Sequence, residues 1–508
     1  MSRDTMGRLS LPPHQRLFAL VYEPQLASDV RHVLPHLLSV DCAHLLMLAE
    51  RGLLRPEVAA GLLSENRRIE ARRVEGEEVF GAPPSHRGLY ALYEHELVER
   101  LGPETGGAAH LARSRNDINA AVTRLRLRDG LLSLYDELAG MLAALGRQGE
   151  QHRRTWMCGF THLQPAQPTT FGHYLAAVSA ELTRSAEWLV SSFEEVNRSP
   201  LGAAAGFGTS IPIDREAVAR RLGFDGVIAS SLDAVASRDY LCRVLSALAT
   251  LGVTLTRLAA DLQAWAGAGY GFLRWPDDLV STSSIMPQKR NPYVLEQIRG
   301  RAAEPTGALV ATLLGLKSAA FSNSVEVSGE AASHVFPALA AIGKAVALTT
   351  LMVEGMEVDR DRMRAFMDHR QLAMTEVANH LVIHCGLPFR AAHDAAGRLA
   401  NEVGDRDPTA AEAAEKLAAI LGSSGWRGTL PDEAGLRQAL DLEAAAAGAS
   451  HGGGPDPAGV ERQLLDLGRR RQAIEARTAA WRRELAEAQD RLHNEAQAFV
   501  RASGERET

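Results

Sequence analysis

Three stretches combine residue types that could do chemistry. Ser281-Thr282-Ser283-Ser284-Ile285-Met286-Pro287-Gln288-Lys289-Arg290-Asn291-Pro292 sets hydroxyls beside two cations and two amides, with Gly267, Gly269 and Gly271 just upstream. That mixture suits a mobile loop carrying a base and a cation over an anionic substrate, or an ordinary Ser/Pro surface loop. His110-Leu111-Ala112-Arg113-Ser114-Arg115-Asn116-Asp117 stands directly before a long helical pattern. Ser114 and Asn116 are good caps, a helix start offers free N–H groups to an anion, and Arg115 adds a two-pronged carboxylate donor. A capped helix with exposed arginines would use the same residues. The third stretch, Gly159 to His173, holds Thr161 and His162 in a proline-rich turn. They can offer a hydroxyl and a titratable imidazole to a cleft, or serve as a hydrogen-bonded structural pair.

The elements that must position these stretches are expected to be helices. Hydrophobic residues make up 46% of the 508 and aromatics only 5%, and Ala and Leu abound, which favours helices packed through aliphatic faces. Short helices are expected before residue 110, at 34–53 and 88–101, with a loop at 76–87. Long ones are expected at 118–150, 169–197, 232–266, 293–320 and 330–356, lengths that suggest a bundle covered by self-association. No period-2 strand pattern of useful length is present. Residues 422–454 read as loop-rich, and 457–501 as one long amphipathic helix or two. The division expected is a disordered lead-in at 1–16, an N-terminal helical domain at 17–112, a central bundle at 113–360 and a C-terminal domain at 361–508.

Composition excludes some partners. A net charge of −7 gives no general attraction to nucleic acid. Arg469-Arg470-Arg471 and Arg482-Arg483 read as a solvated helix face with i,i+4 pairing rather than an RNA-binding tail. Cys42, Cys158, Cys242 and Cys385 lack CxxC spacing, which argues against zinc and for a reducing compartment. No unbroken apolar run approaches the ~20 residues of a membrane span. The first 16 residues lack the apolar core of a signal peptide, so a cytoplasmic setting is expected.

Taken together, the three stretches resemble the signatures of the argininosuccinate lyase family in the aspartase/fumarase superfamily, whose members split fumarate from a C–N or C–O adduct. The first is similar to His-Thr-x-Arg-Ser-Arg-Asn-Asp-Gln. The second matches at Thr161-His162-Leu163-Gln164 and Ala166-Gln167-Pro168, and the third over Ser283 to Pro292. Pro200-Leu201-Gly202 and Ser231-Leu232-Asp233-Ala234 to Tyr240 resemble further landmarks, where Asp233, Arg238 and Asp239 read as bridging charges of a bundle. The resemblance implies an all-α, three-domain fold around long helices. It further implies a homotetramer whose active sites are each shared by three subunits. It implies Ser283 as base, Lys289 as stabiliser of developing charge, and His162, held by Glu296, as acid or orienter. Ser114, Arg115, Asn116, Thr161, Gln167 and Asn291 would bind a dicarboxylate, an N-succinyl adduct, with no metal and no cofactor.

Some positions depart from the family pattern. Leu111, Ile118 and Thr282 stand for the usual Thr, Gln and Gly. Gly88 and Tyr90 occupy the places of an Asp-x-His pair upstream of Glu94. Phe321-Ser322-Asn323-Ser324-Val325-Glu326-Val327-Ser328-Gly329-Glu330 replaces a Tyr-Asn-x-Asp-Leu-Gln-Glu-Asp-Lys stretch. The succinyl half of the site is therefore expected intact and the leaving-group half altered, pointing to an N-succinyl substrate other than or in addition to argininosuccinate. The rivals are an ordinary argininosuccinate lyase and a non-catalytic helical scaffold. The scaffold predicts lost catalytic positions, whereas Thr161, His162, Ser283, Lys289, Asn291 and Glu296 are all present.

Overall fold

The computed structural model describes residues 13–80 and 88–504. Most of the expected lead-in and the later half of the 76–87 loop lie outside them, and Gln15–Leu17 is already helical.

Helices α1 (Leu34–Glu50), α2 (Pro56–Val74) and α3 (Leu89–Gly106) enclose a first apolar core around Leu37, Leu45, Leu62, Tyr93 and Leu97. Helix α4 (Arg115–Gln151) follows, and its 37 residues make a rod about 55 Å long. Its start is fixed by a capping box: the Ser114 hydroxyl accepts from the Asn116 N–H, and the Asp117 carboxylate accepts from the Ser114 N–H.

The central bundle is α4 with α5 (Phe171–Val196), α7 (Asp239–Ala266), α8 (Tyr293–Lys317) and α9 (Val335–Glu354); the short α6 (Arg215–Arg221) joins the first core. Along α5, Leu175, Leu182, Ala186, Leu189, Phe193 and Val196 recur at steps of three, four and seven residues and are fully buried. Each large side chain of such a stripe contributes about 2 kcal/mol of burial. A third core, around Leu381, Leu399, Leu417 and Leu436, belongs to α10 (Met374–Cys385), α11 (Phe389–Val403), α12 (Ala410–Ser423) and α13 (Glu433–Leu440). After α14 (Leu442–Gly448), α15 (Pro457–Gly504) runs back along α4 and α5 as one helix. There Trp481 stacks on Phe193 at 4.0 Å, and Leu492 and Ala496 reach the first core. The fold is all-α in character, as expected.

Several expectations need correction. Strands β1 (Trp156–Thr161) and β2 (Gln164–Thr170) form an antiparallel hairpin where no strand was expected. The 232–266 helix is broken at Ser237–Arg238, where Arg238 donates to the carbonyls of Val235 and Ser237. Asp233 accepts from Ser237 next to this break, whereas Asp239 pairs with Arg243, which also pairs with Glu195 of α5 and so bridges two bundle helices. Residues 422–454 contain α13 and α14. The α15 arginines reach further than their own face: Arg470 forks onto Glu187 and Arg482 pairs with Asp136. Helices Asp239–Ala266 and Glu326–Glu354 are long and apolar enough to cross a membrane, because Ser, Thr and Gly interrupt their apolar stretches without adding charge; here both pack in the bundle.

Candidate active site

The three signatures fall at the two ends of the bundle. Ser114, Arg115 and Asn116 stand at the start of α4. The hairpin that follows its far end carries Thr161, His162 and Gln167. The pairing Thr161↔Gln164 leaves His162 and Leu163 as a two-residue turn, with φ of +53° and +60°. Positive φ at both positions suits a type I′ turn, which Asn-Gly would make without strain. A His and a Leu there store strain of order 1–3 kcal/mol per residue. The turn projects both exposed side chains outward.

The Ser283 loop is at the hairpin's end of the bundle. Strands Ser281–Thr282 and Arg290–Asn291 pair at its base, and Arg290 fastens it to the Trp275 carbonyl at 2.8 Å and to Asp277. Trp275 in turn donates to the Met352 carbonyl at the end of α9, at 2.7 Å. Within the loop the Ser283 Oγ accepts from the N–H groups of Met286 at 3.1 Å and Ile285 at 3.4 Å. Amide donors aimed at a hydroxyl oxygen favour its ionised form, which a serine needs in order to act as a base. Lys289 is exposed beyond this turn.

Glu296 lies in the first turn of α8 and accepts from Gln263 at 3.0 Å. Among the described residues of one chain, no hydrogen bond or ion pair joins it to His162, so the implied pair is not assembled within the chain.

At the other end, Ala112 (φ +61°) turns the chain into α4. Asn116 is engaged on both sides of its carboxamide: Nδ2 donates to the Ala205 carbonyl at 3.2 Å, and Oδ1 accepts from Asn323 at 2.9 Å. The altered 321–330 stretch thus touches the first signature directly. Tyr90 places its hydroxyl 2.6 Å from His110 Nδ1, and Glu94 lies 3.9 Å from the same nitrogen. The Asp-x-His pair remains absent at Gly88 and Tyr90, and the imidazole and carboxylate beside Tyr90 are those of His110 and Glu94. Burial, then Arg113 and Arg115, holds the His110 imidazole below its ordinary range, while burial pushes the Glu94 carboxyl up.

Beneath this surface, Arg113 is buried against Asp41, which also accepts from Tyr93 at 2.5 Å and Asn66 at 2.7 Å. Asp117, fully buried, accepts from Ser114 at 2.9 Å, Gly202 at 3.1 Å and Ala204 at 3.0 Å. Sequence reasoning assigned Asp117 no role, although Ser114-x-x-Asp117 is a capping-box pattern that could have flagged it. Among the described residues no three His, Cys, Asp or Glu side chains are grouped as metal ligands would be.

A family described as Lyase matches residues 77–307. Argininosuccinate lyase 1 of Shouchella clausii is 35% identical over 466 residues, 91% of this chain and 92% of that protein. The argininosuccinate lyase of Halobacterium salinarum is 38% identical over 446 residues, 87% and 88% of the two chains. The crystal structure of EDDS lyase in complex with formate superposes with a TM-score of 0.85 at 27% identity, over 99% and 98% of the chains. A class II fumarase from Schistosoma mansoni, 14% identical with a TM-score of 0.66 over 81% and 90%, shares the fold. Fold and relatives define a helical-bundle lyase of the aspartase/fumarase type, an enzyme that breaks a C–N bond and releases fumarate. The chain belongs to the argininosuccinate lyase family.

Proposed function

We propose that the enzyme eliminates an amine-type leaving group from an N-succinyl adduct, and that its substrate is one other than, or additional to, argininosuccinate. The observation that carries the substrate reading is Asn323 bonded to Asn116, with Tyr90 on His110 nearby: the wall beside the first signature differs in kind from the family pattern. A site built for particular polar partners discriminates strongly against others. The identity of 35–38% to argininosuccinate lyases supports the alternative, an ordinary argininosuccinate lyase.

In this reading Ser283, its oxygen held by the Ile285 and Met286 amides, removes a proton from the carbon next to a carboxylate. The electron pair spreads into that carboxylate, giving an aci form with an extra negative charge. Lys289, Asn291 and Thr161 meet that charge, and a single fixed donor of this kind is worth ~3–4 kcal/mol. Ser114, Arg115, Asn116 and Gln167 bind the dicarboxylate. The C–N bond then breaks, fumarate forms, and His162, oriented by Glu296 of another subunit, serves the leaving nitrogen.

A homotetramer is part of this proposal. Trp188, Val253, Val310, Leu313, Leu314 and Leu351 are exposed apolar side chains on the bundle helices, the kind of face that association covers. Four free cysteines support a cytoplasmic setting. The test follows fumarate's ultraviolet absorbance with argininosuccinate, EDDS and a panel of N-succinyl amino acids and amines. Fumarate from argininosuccinate at ordinary lyase rates would overturn the substrate reading. Fumarate from another adduct alone would support it.

A further inference from the structure

Loop 200–208 is held to the start of α4 almost wholly by its own backbone. Asp117 Oδ2 takes the N–H groups of Gly202 and Ala204, while its Oδ1 takes the N–H of Ser114. Asn116 donates to Ala205 O, Arg215 to Leu201 O at 2.8 Å, and Ser231 to Gly206 O at 3.0 Å. Of these, the Asp117 carboxylate makes three bonds, one to the cap and two to the loop. Ala204 is kept at φ +52°, a conformation that a non-glycine residue in a freed loop would leave.

We propose that Asp117 is a positioning residue: its ionised carboxylate clamps loop 200–206 to Ser114 and Asn116 and so shapes the dicarboxylate subsite without touching the ligand. This rests on the assignment of Ser114–Asn116 to dicarboxylate binding. An ionised carboxylate accepts on both oxygens, which three N–H donors require. A protonated one carries an O–H on one oxygen and accepts more weakly there, which loosens its hold on either the Ser114 side or the loop side.

The surroundings make that switch accessible. Burial pushes the Asp117 carboxyl up to about 6, against the N–H groups of Ser114 and Ala204 and the Arg113 charge, which favour ionisation. The other titratable and charged groups facing it are Arg215 from α6, His44 from α1, and Tyr90 from α3. His44 is pressed down to about 3 by burial and Arg113, so it stays neutral through the same range.

Two effects of acidification oppose each other. Removing a buried negative charge near the subsite would tighten a dianion, whereas loosening the clamp would weaken it. The clamp predicts that fumarate Kd, measured by titration calorimetry on the full-length protein, rises about tenfold between pH 7.5 and 5. In Asp117→Asn, fumarate should bind more weakly at pH 7.5, with a Kd that no longer depends on pH across this window. With a turned-over N-succinyl adduct, the same variant should raise KM and leave kcat nearly unchanged. A wild-type Kd that is flat or falls on acidification overturns the clamp, and this reading needs no variant to fold. An acid limb that persists in Asp117→Asn, with circular dichroism showing a folded protein, overturns it too. Absence of fumarate binding by wild type at pH 7.5 would count instead against the dicarboxylate reading on which the clamp depends.

Discussion

Asn323 donates its side-chain amide to Asn116 Oδ1 at 2.9 Å, across 207 positions of sequence. The contact joins the segment after α8 to the first signature and fixes the Asn116 carboxamide from the side opposite Ala205. Asn323→Leu removes the donor at similar size. Loss of one neutral hydrogen bond costs about 1 kcal/mol, so KM should rise about fivefold with kcat little changed. Initial rates of fumarate release give both constants, and an unchanged KM would show that Asn323 has no part in binding.

Ser283 offers a sharper test. Its oxygen already faces two amide N–H groups in an exposed loop, so truncation leaves the bundle core untouched. Ser283→Ala should lower kcat by ~10²–10⁴, the usual weight of a general base, with an unchanged thermal midpoint. A variant within tenfold of wild type would place the base elsewhere.

Much of this arrangement was legible from residues alone. The three signatures, the long helices and the capping of α4 at Ser114 follow from residue types and helical periodicity. The β1–β2 hairpin was not legible, because Pro165 and Pro168 sit on β2 and Gly159 coincides with a register shift, so the alternation that marks strands is lost. The helices α13 and α14 hid among Gly and Ala that carry little amphipathic contrast. The break at Arg238 depends on a guanidinium bonding to nearby carbonyls, which composition does not encode. Asp117 and Asp41 escaped notice because their partners are backbone groups and side chains far away in sequence.

Ser114 and His162 are separated by the whole length of α4, about 55 Å, too far to meet on one substrate. Sites shared among subunits therefore predict complementation. Ser114→Ala and Ser283→Ala, each nearly inactive, should regain activity when denatured and refolded together, since some mixed sites receive neither substitution. Activity no higher than the sum of the separately refolded variants would mean that each site is built by a single chain.

Asp41 neutralises a buried guanidinium. Arg113 and Asp41 are both sealed from solvent, and Asp41 also holds Tyr93 and Asn66. Asp41→Ala leaves the Arg113 charge uncompensated, a loss of about 3–5 kcal/mol. Urea unfolding should show the midpoint drop, and Tyr93→Phe, which removes a hydroxyl shared by Asp41 and Asn66 but leaves the charges paired, should cost less, about 1–2 kcal/mol.

His44 gives stability an acid limit that can be assigned. Its Nε2–H donates to the Leu111 carbonyl at 2.8 Å, and burial followed by Arg113 pushes the imidazole down to about 3. Unfolded, it would titrate near 6.5. As pH falls below 6.5 the unfolded chain therefore takes up a proton that the native chain refuses, and stability is lost progressively down to about pH 3. At pH 4.5 this group alone removes about 2–3 kcal/mol. His36 and His152, each held down to about 4, act in the same direction. Asp117 acts oppositely: its ionised form is penalised in the native state, so acidification from about 6 towards 3.8 relieves a cost. His44→Gln keeps an amide donor for Leu111 and cannot titrate. Compared at equal protomer concentration, wild type should lose more stability than His44→Gln between pH 7 and 4.5. Parallel stability curves would mean that the acid limit lies with other groups.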